Sequence, residues 1–143
     1  MNINPAQKLA KRAMAQIGML SAQLLLGMAV NLIGLPKEVN GSAKVATTSF
    51  LILHIGIGIG LLIGSLMAVK LARKVNSHFV RDAWIGVLLV VTTFVVGVLT
   101  MILGNNWLSY IMTVGFLASF LLYGAMFVYA GRQSYVSKSN FNE

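Results

Sequence analysis

Long uncharged stretches alternate along this chain with short clusters of polar and charged residues. The uncharged stretches run from Ala13 to Pro36, Val45 to Val69 and Ala83 to Gly131. A helix crossing a hydrocarbon core of about 30 Å needs roughly 20 residues, so the first two stretches each supply one. As a single helix the third would extend over roughly 70 Å, more than tilting can absorb, and it must therefore reverse once. Gly104-Asn105-Asn106-Trp107 is the polar, turn-forming cluster near its middle, where Asn tolerates the backbone angles of a reversal. The pattern predicts spans over Met14 to Leu35, Thr47 to Val69, Ala83 to Leu103 and Trp107 to Ala130. Runs such as Val87-Leu88-Leu89-Val90-Val91 break the alternation that a membrane barrel requires. Segments apolar on every side satisfy their backbone groups internally as helices, so the predicted fold is all-α, an integral membrane four-helix antiparallel bundle.

Charge adds a direction. With the N-terminus in the cytoplasm, the inner segments carry Lys8, Lys11, Arg12, Lys70, Arg73, Lys74, Arg81, Arg132 and Lys138, while the outer ones carry only Lys37 and Lys44. Positive residues favour the cytoplasmic side, which predicts a multi-pass cell-membrane protein with both termini inside. Trp107 and Tyr110 then fall at the outer interface, and Trp84, Tyr129 and Tyr135 at the inner one. Residues 1–13 form a basic N-terminal segment, 14–130 the membrane domain and 131–143 a polar cytoplasmic tail. The first apolar run is about twice the length of a signal-peptide core and reads as a retained helix. Ile3 to Gln16 is a candidate interfacial helix leading into it. The inner basic residues set topology or, as a second reading, attract anionic headgroups.

Composition removes most chemistry. Apolar residues make up 57% of the chain and charged ones 10%, against about a quarter charged in a soluble domain. The net charge of +8 is spread between apolar runs rather than gathered on a folded surface, so nucleic acid is not an expected partner. No cysteine is present, which excludes disulfides, thiolate nucleophiles and CxxC redox pairs. The acids Glu38, Asp82 and Glu143 are too scattered for paired-carboxylate catalysis. No Ser or Thr has a histidine and carboxylate arranged beside it to make a nucleophile. Gly56-x-Gly58-x-Gly60 lies in an apolar helix and is not a phosphate cradle. The protein is expected not to be an enzyme, and no metal site is expected.

Helix association in lipid relies on close packing at small residues and on interhelical hydrogen bonds. Gly56, Gly60, Gly64 and Ala68 recur every fourth residue and form a packing stripe along one face of the second helix. That stripe serves the bundle itself, or a homo-oligomer or another membrane protein. Looser sets are Gly18, Ala22 and Gly27 in the first helix, Thr93, Gly97 and Gly104 in the third, and Gly115, Ala118 and Ala125 in the fourth.

His54 is the ionisable residue predicted within a span, and such a residue is a functional candidate by default. Depth matching offers it Gln23, Asn31, Thr48 or Thr113 as hydrogen-bond partners. It also puts Met112 of the fourth helix at a similar level, and His/Met ligation is one way to hold haem iron in a helical bundle. Leu53-His54-Ile55-Gly56-Ile57-Gly58-Ile59-Gly60 resembles the histidine-and-glycine segment in the second helix of membrane four-helix haem bundles, such as one half of a haem A synthase. That resemblance implies a haem-binding or electron-transfer role with His54 as an axial ligand. The family also carries a histidine near the start of the fourth helix, where this chain offers Met112 instead.

Three functions follow as expectations. The first is a structural or accessory bundle without a cofactor; the second is a haem-handling protein using His54 and Met112. The third is a facilitator for an uncharged solute, with Gln23, Asn31, Thr93 and Thr100 lining one path.

Overall fold

The computed structural model describes residues 4–103 and 106–139. Those residues form four helices, α1 over Pro5–Ile33, α2 over Gly41–Ala72, α3 over Ser77–Leu103 and α4 over Asn106–Ser139. Each is long and apolar enough to cross a membrane. The predicted reversal falls on Gly104-Asn105, outside the described residues.

Local chemistry explains the helix ends. Asn4 caps α1 by accepting the Ala6 N–H at 3.0 Å, and Pro5 at the first helical position loses no bond there. Gly34 stops α1 at a φ of 102° that side chains rarely adopt, with its N–H returned to the Val30 carbonyl at 2.9 Å. The Thr47 hydroxyl then donates to the Gly34 carbonyl at 2.7 Å, which ties the start of α2 to the end of α1. Asn76 caps α3 through the Phe79 N–H at 3.1 Å.

The helices outrun the predicted spans, chiefly where both termini lie. Charges end a membrane span, but they do not end a helix. In α1 the residues Lys8, Lys11, Arg12 and Ala15 take one face by their three-and-four spacing. Ala6, Leu9, Ala10 and Ala13 take the opposite face and are buried. Of the candidate interfacial helix Ile3 to Gln16, the described part from Pro5 onward runs without a break into the rest of α1. In the same way α4 continues beyond Ala130 to Ser139.

α1 packs on α2 and α4, and α3 packs on α4 and α2, while among the described residues neither diagonal pair comes within 8 Å between Cα atoms. The helices therefore form a four-membered ring in chain order. Facing positions rise in number along one helix as they fall along the next, with Gln16 on Gly64, His54 on Gly27 and Tyr123 on Gly86, so neighbours are antiparallel. One end carries the start of α1, the end of α4 and the α2–α3 connection, and is called here the basic end. The core is concentrated in that half, around Leu9, Ala13, Leu61, Ala68, Ala83 and Met126. Outside, the surface is apolar all round: Leu25, Leu32, Ile52, Leu88, Ile102 and Leu121 are each more than 60% exposed.

Candidate functional site: the polar interior

Along helices this apolar, polar side chains turned inward are the groups able to do chemistry, and they lie in three levels. Nearest the basic end, Gln16, Ser65 and Tyr123 are fully buried. Gln16 Nε2 donates to the Leu61 carbonyl at 3.1 Å, and Ser65 Oγ to the Leu62 carbonyl at 2.8 Å. The Tyr123 ring enters from α4 and reaches Gly86 of α3, where an added Cβ would lie 2.8 Å from its hydroxyl. Gln16, Ser65 and, further off, the Arg12 guanidinium are the polar side chains within electrostatic reach of that hydroxyl. Gln16 Oε1, an acceptor, and Tyr123 Oη, a donor, are both buried without a partner at hydrogen-bonding geometry.

Seven residues along α1, α2 and α3, and eight along α4, about 10 Å further in, the pattern repeats with different side chains. Gln23 of α1 meets Gly58 of α2, where a Cβ would lie 3.4 Å from Gln23 Nε2 and 3.2 Å from the Phe94 ring of α3. Thr93 of α3 presses its hydroxyl against Gly115 of α4. Gln23 Oε1 and Thr93 Oγ1 are likewise buried without partners.

One further turn on, Gly27 of α1 receives the His54 ring, with Cε1 3.2 Å from an added Cβ, and Gly97 of α3 receives Met112 Sδ at 3.3 Å. The antiparallel register puts His54 and Met112 at one level, on diagonally opposite helices. Their side chains nonetheless turn into separate seams, α1–α2 for the imidazole and α3–α4 for the thioether. An iron shared between them does not fit this arrangement, because each group would first have to leave its glycine. His54 Nδ1 has no hydrogen-bond partner. Of the side chains matched to it by depth, Thr48 and Thr113 donate to carbonyls one turn back in their own helices, at 2.6 and 3.0 Å, as helical threonines commonly do. Asn31 is exposed, and only Gln23 lies nearby, through its main chain.

The four residues suggested for a solute path do not come together. Gln23 and Thr93 face inward, Asn31 is on the outside, and the Thr100 hydroxyl is held by the Val96 carbonyl at 2.8 Å. Among the described residues no cluster of three or more His, Asp or Glu is placed to hold a metal ion.

The small-residue stripe of α2 divides. Gly64 is buried under the Gln16 amide, where an added Cβ would lie 2.8 Å from Nε2, and Gly60 faces Met19 Sδ at 3.7 Å. Ala68 is fully buried. Gly56, by contrast, has nothing within 4 Å and is exposed. The middle of the stripe, Gly60 and Gly64, therefore lies against α1.

Sequence reasoning missed Gln16, Ser65 and Tyr123. A signal was present, since Gln16 and Gln23 are seven apart, as are Gly58 and Ser65, and Gly86 and Thr93. Tyr123 lies inside the last apolar run, away from the interfaces where tyrosines are expected, and that position is itself a signal.

Comparison of the chain with protein-family models, with curated proteins and with solved structures finds no match in any of the three.

Proposed function

We propose that this protein is a multi-pass membrane protein, both termini cytoplasmic, that serves as a non-catalytic accessory bundle. The observation that carries the reading is the distribution of surface and interior. An apolar girdle surrounds the helices, on a scale that water does not tolerate and lipid does. The polar groups inside are seated on glycines of neighbouring helices, and their positions serve packing. The excess of Lys and Arg at the basic end supports the sidedness.

Because Gly60 and Gly64 lie against α1 and Ala68 is fully buried, the stripe acts within the bundle. Association with another membrane protein then uses the lipid-facing surface instead. Gly60→Leu tests this in nanodiscs. The Leu side chain must displace Met19, so the expected result is a lower unfolding temperature with the oligomeric state unchanged in native mass spectrometry. Loss of an oligomer with unchanged unfolding would assign the stripe to a contact between copies. The same preparation is expected to be colourless and to stay so with added haemin; a Soret band lost in His54→Ala would replace this reading with the haem one.

A further inference from the structure

We propose that the cleft between the basic ends of α1 and α2 is a binding site for the headgroup of an anionic phospholipid; the proposal rests on the membrane reading above. The cleft, of about 380 Å³, is lined by Lys8, Lys11, Arg12 and Lys70, with Ala15, Met67 and Leu71 completing its walls. No acid lines it. Helical spacing brings the charges together, for residues 8, 11, 12 and 15 share a face of α1, and residues 67, 70 and 71 share the face of α2 opposite.

Arg12 is the central group. Its Nε donates to the Gly64 carbonyl at 3.4 Å and its Nη2 to Met67 Sδ at 2.9 Å, which holds the guanidinium against the seam with neither contact neutralising it. Among the described residues the ion pair is Arg81 with Asp82, so Arg12 pairs with no carboxylate. A guanidinium has five donors in a planar fork suited to phosphate oxygens, and the ones left over are available to a phosphodiester. The flanking lysines supply further charge, and the apolar walls suit the start of a lipid's glycerol and acyl chains. The cleft between α3 and α4 at the same end of the bundle provides the contrast. It measures about 450 Å³ and is lined by residues including Arg81 and Asp82, whose charges offset each other.

The test is native mass spectrometry of the full chain released from nanodiscs of phosphatidylcholine with and without phosphatidylglycerol. One phosphatidylglycerol retained per chain is expected, with a preference of about tenfold or more over phosphatidylcholine. Arg12→Gln combined with Lys70→Gln should abolish that preference. Lys8→Gln combined with Lys11→Gln, which leaves the Arg12 contacts intact, should weaken it strongly. Arg73→Gln combined with Lys74→Gln removes the same charge outside the cleft and should leave it unchanged. Equal losses in the cleft and loop variants would mean diffuse surface attraction and overturn the proposal. So would displacement of the lipid by millimolar inorganic phosphate, which would assign the cleft to a soluble anion. A chain that inserts into nanodiscs but shows no phosphatidylglycerol preference refutes the site alone, whereas one that fails to insert refutes the membrane reading.

Discussion

The two halves of the bundle are built differently. At the basic end, Ala6, Ala10, Ala13, Ala68, Ala72, Ala83 and Ala130 are all buried, drawn from all four helices. Small side chains facing inward on every helix let the backbones close up, and the space that remains is filled by Leu9, Tyr123 and Met126. Toward the far end little of the chain is fully buried. Val30 and Thr47 are buried there, while His54, Gln23 and Thr93 are only half-buried. Glycine content alone does not make a tight half, for the glycine-rich segment of α2 straddles both. Gly64 is covered by Gln16, while Gly56 faces open space. What counts is whether the neighbouring helix offers a side chain that fills the socket.

Replacing one large side chain in each half tests this contrast most severely. Tyr123→Ala removes a fully buried ring and is expected to destabilise the bundle by about 3 kcal/mol or more. His54→Ala, in the looser half, should cost about 1 kcal/mol. Reversible unfolding in detergent micelles checks both, and equal losses would erase the distinction between the halves. An effect below that of Tyr123→Ala is expected at the glycines. Gly64→Ala drives a Cβ to 2.8 Å from the Gln16 amide, disturbing its bond to Leu61 at a cost of about 1–3 kcal/mol. Gly56→Ala meets nothing and should be neutral or stabilise the helix by up to about 1 kcal/mol. Tyr123→Phe should not destabilise at all. It deletes a buried hydroxyl that has no partner at hydrogen-bonding geometry, so stability should hold or rise slightly, as when any unsatisfied buried group is removed. A large loss would show that the hydroxyl is bonded to Gln16 or Ser65.

Much of the architecture was legible because its signals are long. Apolar runs marked four helices, and lysines and arginines marked the end where the termini lie. Depth counting put Met112 level with His54, since both depend only on rise per residue. Helix ends were less legible, because Lys8, Lys11 and Arg12 interrupt the apolar run and yet occupy one face of a continuing helix. The interior was read only in part. Which glycine receives which side chain depends on helix rotation, and hydropathy carries no rotational information when every face is apolar. Gln16 illustrates the difficulty, for its place under Gly64 depends on α2 being turned toward α1 at that level.

The central claim, that the exposed apolar surface faces lipid, has a direct test made simple by the absence of cysteine. Leu88→Cys and Leu121→Cys replace side chains that are 65% and 64% exposed on the bundle, and Lys37→Cys replaces one in the connection between α1 and α2. In intact cells a charged, membrane-impermeant maleimide is expected to label Lys37→Cys and to leave both leucine positions unmodified until the membrane is dissolved in denaturant. Rapid labelling at Leu88→Cys or Leu121→Cys in the intact membrane would put water where this account puts lipid.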